Sequence, residues 1–329
     1  METFEYTSSV DGARPLYADA SFRADGKPKP LLVVMHGYNG SRMDVRMDVT
    51  ELSAKGVFAV APDCRGRGGS AGVWDSGRFD VHDILDATLA AVKQYPADID
   101  PRNLNIVGYS GGGGNTIACA VRFPDLFQTC VSFFGISDYA WWHRSNGRPD
   151  CNAVMEEALG GPPEAIPEVY TARNANPAAA NATLARLHFF WDEEETQCPV
   201  AMVEEFIANY RSAGLTNVAV HVSHRGDANR WHHGYRSDHG SLRDAADSLF
   251  LPDVLAEKSS SPRLAPRGRL VVPGYLVTRR FQVWIEDGRQ GQAVVEYDLR
   301  GRKPALRVVE NPGNHKIRLL ESSPLGNQT

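Results

Sequence analysis

The sequence predicts an α/β fold: a mostly parallel central sheet with helices on both faces, followed by a small antiparallel β-unit. Two observations carry this. Through residue 257, short apolar runs bounded by Gly, Pro or Asp alternate with stretches of helical period. Beyond Ser259-Ser260-Ser261-Pro262 the pattern becomes short alternating stretches separated by turn signals. Charge divides at the same place. Residues 258–329 hold thirteen Lys/Arg against six Asp/Glu, a balance of +7; the whole chain stands at −5, leaving −12 for residues 1–257. The expected organisation is therefore 1–257 as the α/β domain and 258–329 as a basic β-rich unit.

The strands follow in order. Leu31–Met35 ends in His36-Gly37, Val57–Ala61 in Pro62-Asp63, and Asn103–Val107 at Gly108. Thr129–Phe134, Leu187–Trp191 and Asn217–Val222 complete the set. Runs of this length and bounding read as buried parallel strands. Val81, Ile84, Leu85, Thr88, Leu89 and Val92 keep helical spacing before Pro96, as do Val203, Phe206, Ile207 and Tyr210 before Gly214. Between residues 139 and 185 no strand pattern appears, and a connection of that length after a strand is expected to form a cap or lid. In the basic unit, Arg279–Ile285, Ala293–Tyr297, Leu306–Val308 and Ile317–Leu319 alternate around turns at Asp287-Gly288, Arg300-Gly301 and Pro312-Gly313. Three to five strands are expected, too few for a sizeable core of their own, so the unit should dock on the α/β domain or on a second copy.

Composition excludes several classes. With 42% hydrophobic and 23% charged residues the chain is not disordered. No run of eighteen apolar residues exists to cross a membrane, and the N-terminus lacks a basic-then-apolar leader. Five cysteines without a CxxC pair argue against a disulfide framework or a Cys-rich zinc site, and the expected compartment is a reducing cytoplasm.

Chemistry concentrates at Gly108-Tyr109-Ser110-Gly111-Gly112, which follows an apolar strand and opens a helix. G-x-S-x-G in that setting forms a nucleophile elbow. The serine sits on a strained strand-to-helix turn, so its neighbours must be small, and its hydroxyl projects at the positive end of a helix. His36-Gly37-Tyr38-Asn39-Gly40, Pro62-Asp63-Cys64-Arg65-Gly66-Arg67-Gly68-Gly69-Ser70 and Gly135-Ile136-Ser137-Asp138-Tyr139 accompany it.

With these stretches the chain, from Phe4 to Leu255, resembles the α/β-hydrolase superfamily, in its prolyl-oligopeptidase-like, dienelactone-hydrolase-like and acetyl-xylan-esterase-like branches. The first two dozen residues leave room for an N-terminal hairpin, not for a β-propeller. The resemblance implies an oxyanion hole formed by the backbone N–H of Gly111 and that of Tyr38, with the Tyr38 hydroxyl a candidate third donor. His36 is expected to be structural. A serine needs a base, and the base an acid, in the chain order Ser, acid, His. The acid belongs in Asp192-Glu193-Glu194-Glu195-Thr196-Gln197-Cys198-Pro199. In related enzymes a carboxylate stands three residues before a Val-Pro pair, which Cys198-Pro199 matches. That favours Glu195, although the family usually carries Asp there, and Asp192 is the alternative. His233-Gly234-Tyr235 resembles the His-Gly-Phe at the family's catalytic histidine. His233 is the favoured base, with His232 and His224 as alternatives. A metal site built from His224, His232, His233 and His239 is a rival reading and is not favoured; no cofactor is expected.

Trp74, Trp141, Trp142, Trp191 and Trp231 all fall at or beyond carboxyl ends of the strands, where open α/β sheets place their ligands, and Tyr38, Tyr109, Tyr139 and Tyr235 join them. An aromatic-lined pocket is expected. Arg65, Arg67, Arg144, Arg225 and Arg230 stand near its rim and are candidates for a substrate carboxylate. Asp138 is expected to position the lid.

The resulting expectation is a serine esterase acting on a small-molecule carboxylic ester, acetyl, feruloyl or short acyl or aryl, on a sugar or otherwise. The alternatives are a prolyl-oligopeptidase-like peptidase of short peptides, supported by Glu156-Glu157 in the insertion, and a non-enzymatic binding module. The basic unit, with Tyr275, Phe281, Trp284 and Tyr297, is expected to dock by charge complementarity within the chain or between copies. Nucleic acid and membrane partners are not expected.

Overall fold

The computed structural model describes residues 1–233, 239–286 and 291–325, with the backbone alone for 239–245. Gly234, Tyr235, the His239 side chain and the Asp287-Gly288 turn lie outside the described residues.

The central sheet has eight strands: β1 (Glu2–Tyr6), β2 (Leu16–Ser21), β3 (Lys29–Met35), β4 (Phe58–Pro62), β5 (Ile99–Tyr109), β6 (Thr129–Phe133), β7 (Arg186–Asp192) and β8 (Val218–Ser223). They lie in the order β1-β2-β4-β3-β5-β6-β7-β8. β1 and β2 form the N-terminal hairpin, and β2 runs antiparallel to β4; from β4 to β8 the pairing is parallel. The continuous apolar runs follow from burial on both faces: every residue of β4 and of β6 is buried. In β3 the strand period divides the side chains between two cores, Leu31, Val33 and Met35 on one face and Leu32 and Val34 on the other. The first face is covered by α2 (Phe79–Gln94), α3 (Gly111–Arg122) and α7 (Val200–Ser212), the second by α1 (Arg46–Ala54) and α8 (His239–Leu255).

The insertion is helical. It contains α4 (Tyr139–Ser145), α5 (Pro149–Leu159) and α6 (Pro167–Thr171), then a 3₁₀ turn at Asn176–Asn181. Asp138 caps α4, accepting from the N–H groups of Ala140 (2.8 Å) and Trp141 (3.0 Å), and takes a further bond from Asn174 Nδ2 (2.8 Å). It thus ties the start of the insertion to its end.

The C-terminal residues form more strands than the pattern suggested: β9 (Arg267–Pro273), β10 (Tyr275–Val277), β11 (Gln282–Ile285), β12 (Gln292–Asp298), β13 (Ala305–Glu310) and β14 (Ile317–Leu320). They build two three-stranded antiparallel sheets, β10-β11-β14 and β13-β12-β9. The additional strands, β9 and β10, flank the Pro273-Gly274 corner, where the chain leaves one sheet for the other and the alternation breaks. Contrary to expectation, a separate core exists, with Leu270, Val272, Leu276, Phe281, Val283, Ile285 and Val295 buried in it.

Within the chain, opposite charges meet across the join where Arg279 faces the Asp125 carboxylate. The basic residues of this unit mostly pair inside it: Arg267 and Arg300 with Asp298, Arg307 with Glu296, Lys316 and Arg318 with Glu286. The rest of the join is aromatic and hydrogen-bonded. Tyr275 is fully buried, its ring 5.5 Å from that of His82, with the Arg122 guanidinium 4.8 Å from its centre. Arg122 Nε donates to Pro273 O (3.1 Å), and the Arg279 N–H to the Asp125 carboxylate (3.0 Å). The Asn181 side chain pairs with β9 as a backbone would, giving Nδ2–H to Val271 O (2.7 Å) and accepting Val271 N–H (3.0 Å). No helix among the described residues is long and apolar enough to cross a membrane.

Candidate active site

Ser110 stands between β5 and α3 with φ 56° and ψ −119°, a conformation that L-residues avoid and that is kept only where the surroundings enforce it. Its N–H donates to Phe133 O (2.9 Å) and its carbonyl accepts from Gly114 N (2.9 Å), so the turn is held on both sides. Close approach dictates the glycines. A Cβ on Gly108 would run into the Gly112 carbonyl. One on Gly111 would lie 2.7 Å from Tyr38 N and 2.6 Å from Tyr38 Cα, so the backbones of Gly111 and Tyr38 are packed face to face. As the first residue of α3, Gly111 has an N–H without an intrahelical acceptor. The two expected oxyanion donors are therefore adjacent.

The Tyr38 hydroxyl is not available as a third donor. It is buried and hydrogen-bonded to Ser76 Oγ (2.7 Å). His36 is structural: Nδ1 bonds Gly37 O (2.9 Å), and Nε2 accepts the Cys64 N–H (3.2 Å).

The two candidate acids part company. Glu195 Oε2 meets His233 Nδ1 at 3.0 Å and accepts the His233 N–H at 2.9 Å, while Oε1 accepts the N–H groups of Gln197 (2.7 Å) and Cys198 (3.0 Å). Burial raises the Glu195 pKa, but the bond and charge of His233 outweigh it and hold the carboxyl below the usual range. Asp192, wholly buried, faces elsewhere. It accepts from Arg230 Nε (2.8 Å) and Nη2 (2.5 Å), from Ser223 Oγ (2.6 Å) and from Glu194 N (2.9 Å). Burial again pushes upward, yet Arg230 and Ser223 bring its pKa down to about 2. Because Ser223 Oγ also accepts the Trp231 N–H (2.9 Å), Asp192 anchors the segment that leads to His233.

His233 Nε2 is buried and has no hydrogen-bond partner among the described residues. Its ring lies 4.5 Å from that of Phe134, which follows the strand that receives the Ser110 N–H. Ser110 Oγ contacts Cys198 Sγ at 3.8 Å, and no hydrogen bond joins Ser110 to His233 among the described residues. Cys198 thus touches the nucleophile with its thiol and the acid with its N–H. The sequence identified it only through the residue pair that follows the acid; burial raises its pKa and keeps it a thiol.

The other histidines disperse. His224 pairs with Glu193 on the surface (2.8 Å), and His221 lies against His188 (3.3 Å) and Phe190. His232 is half-buried beside His233. Among the described residues no group of three or more His, Cys, Asp or Glu is arranged to hold a metal.

The aromatic pocket needs correction as well. Trp74, Trp142 and Trp191 are buried in the core, and Trp142 Nε1 donates to Gln197 O (2.7 Å). Trp74 and Trp142 meet the Tyr38 ring edge-on at 4.7 and 4.9 Å, so they fix the oxyanion loop rather than offer a face to a ligand. Tyr109, Trp141 and Trp231 remain half-buried. Of the rim arginines, Arg65 is buried on Asp83, while Arg144 pairs with Glu164, Arg225 with Glu194 and Arg230 with Asp192. Arg67 covers the Trp74 ring at 4.6 Å. Beside Cys198, a crevice between Phe134, Trp191, Val200 and Val203 is too narrow for a water molecule.

The sheet order and the strand-to-helix serine fit one comparison directly: residues 43–249, more than half of the chain, match the model of the prolyl oligopeptidase family, Peptidase_S9. The chain belongs to the prolyl oligopeptidase family. Its central sheet and strand-to-helix serine have the α/β-hydrolase fold. An uncharacterized peptidase of Bacillus subtilis, YtmA, is 27% identical over 122 residues, 37% of this chain and 46% of that protein. The chain spans less than half the length of the curated relatives it matches. Among solved structures, an acylaminoacyl peptidase of Pyrococcus horikoshii superposes with a TM-score of 0.63 at 19% identity, covering 78% of this chain and 42% of that one. The Pyrococcus furiosus esterase Pf2001 does so with a TM-score of 0.57 at 15% identity, over 77% and 91%. At such identities these structures share the fold alone with this chain.

Proposed function

We propose that this chain hydrolyses carboxylic esters of short acyl groups through an acyl-enzyme on Ser110. The observation that carries the reading is the Glu195–His233 pair, bonded at Nδ1 and leaving a buried Nε2 without a partner near the elbow. In the proposed reaction the Ser110 hydroxyl leaves Cys198 for Nε2, which takes its proton as Oγ attacks the acyl carbon. Glu195 keeps the proton on Nδ1 and stabilises the imidazolium. The N–H groups of Gly111 and Tyr38 receive the oxyanion. His233 returns the proton to the departing alkoxide; water then repeats the sequence, releasing the acid and restoring Ser110. No cofactor enters these steps.

The Cys198 thiol, 3.8 Å from Ser110 Oγ, crowds the place where the acyl group must sit and favours a small one. Cys198→Ala is expected to raise the ratio of butyryl to acetyl p-nitrophenyl ester turnover about tenfold, the lower end of the effect of a methylene in a pocket. An unchanged ratio of kcat/KM values would remove Cys198 from the acyl site.

The test of the whole reading is covalent. A fluorophosphonate should label the protein once, at Ser110 by peptide mapping, and should not label Ser110→Ala. Labelling elsewhere, or none, rejects it. The family match favours a second reading, hydrolysis of aminoacyl amides. Glu156-Glu157 does not strengthen it: Glu156 is bonded to His143 (2.6 Å), and Glu157 follows it on α5, turned about 100° round the axis. Aminoacyl p-nitroanilides cleaved as fast as p-nitrophenyl esters would decide for the amide reading.

A further inference from the structure

We propose that Ser76, which lies outside the triad, positions the oxyanion hole by holding the Tyr38 hydroxyl. The inference rests on the acyl-transfer reading above. Ser76 is buried and adopts φ 51°, a left-handed conformation that a serine enters only under constraint. That constraint comes from two buried arginines on different elements. Arg173, in the insertion, donates from Nε to Ser76 O (2.7 Å) and from Nη2 to Asp75 O (2.7 Å). Arg122, at the end of α3, donates from Nη1 to Gly77 O (2.6 Å). The N–H of Gly77 is taken by the Asp80 carboxylate (2.9 Å). With its backbone gripped on each side, the serine has one freedom left, its hydroxyl, and that meets the Tyr38 hydroxyl at 2.7 Å.

Tyr38 is the residue whose N–H lies against Gly111. Its ring is bounded edge-on by Trp74 and Trp142, and its tip is fixed by Ser76. A side chain held at both ring and tip leaves its own backbone little room to tilt. The donor N–H then stays directed at the place where charge develops, as electrostatic preorganisation requires. The insertion thereby reaches the reacting centre without touching substrate: Arg173 sets Ser76, Ser76 sets Tyr38, and Tyr38 sets the donor.

The decisive variant is Ser76→Gly. Glycine accepts the positive φ and lacks the hydroxyl, so the turn relaxes while the bond to Tyr38 is lost. Positioning predicts a variant at least as thermally stable as the parent, with kcat on a p-nitrophenyl ester about tenfold lower, KM unchanged and fluorophosphonate inactivation slowed in parallel. Tyr38→Phe, which keeps the backbone donor, should reproduce the kcat loss, and Ser76→Gly should add nothing in that background. A merely structural serine predicts the parental kcat in Ser76→Gly. That result, or additive losses in the double variant, overturns the proposal while leaving Ser110 labelling intact. Absence of labelling at Ser110 in the parent would overturn the acyl-transfer reading itself and this proposal with it.

Discussion

Glu195→Gln is expected to lower kcat about 10³- to 10⁴-fold while the protein stays folded. The amide matches the carboxylate in size and its oxygen can still accept from Gln197 and Cys198, whose N–H groups now bond Oε1. It cannot hold a proton on His233 Nδ1 with the same polarity, nor balance the imidazolium. Asp192→Asn should behave in the opposite way. Its carboxylate meets Arg230, Ser223 and the Glu194 N–H, not the histidine, so kcat of the folded protein should stay within a few-fold of the parent while Tm falls. Steady-state kinetics and calorimetry on the two variants check this. Exchanged phenotypes would reassign the acid to Asp192.

Asp80→Asn is expected to remove a loss of stability that accompanies rising pH. Asp80 is buried next to Asp75; burial first, and the neighbouring carboxylate second, raise its pKa to about 7. A group with a folded-state pKa above its unfolded value stabilises fully below the unfolded pKa, near 4 for a carboxyl. That contribution is lost as pH rises through the folded value. The parent should therefore lose on the order of a few kcal/mol between pH 4 and pH 8 from the Asp80 carboxyl. The variant carries no such charge. Urea unfolding at pH 5 and pH 8.5 should show the difference in ΔG moving in favour of Asn at the higher pH. A difference independent of pH would mean that Asp80 is ionised in the folded protein throughout. Asp192 works in the reverse sense: with a pKa near 2, its stabilisation is present above about pH 4 and fades as pH falls towards 2.

The sequence carried the parts that local rules govern. β3 to β8 were legible because strands buried on both faces leave apolar runs between punctuating residues. The elbow was legible because its glycines answer to contacts that any side chain would break. The choice among the carboxylates of 192–195 was harder, since it depends on where Arg230 and His233 arrive after β8 and a loop. Spacing to Pro199 favoured Glu195, and the geometry pairs Glu195 with His233. The role of the tryptophans was not legible: position at a strand end does not say whether a ring turns to solvent or to Tyr38. β9 and β10 were hidden by the Pro273-Gly274 corner. Ser76 carried no signal, since its partners Tyr38, Arg173 and Arg122 all come from distant parts of the chain.

The buried tyrosine of β10 has a bearing on α3. Tyr275, Val277 and Leu325 belong to the same core as Ile117 and Phe123. Arg122 ends α3 and spends one donor on Pro273, and Ser110 begins it. The appendage is thus a buttress, seated at the foot of the helix whose head bears the nucleophile. A cassette cut at the serine-rich linker would leave that foot unsupported, with Arg122 Nε deprived of its acceptor and an apolar socket open to water. The charge boundary in the chain is a boundary of composition; the foundations of the elbow extend across it.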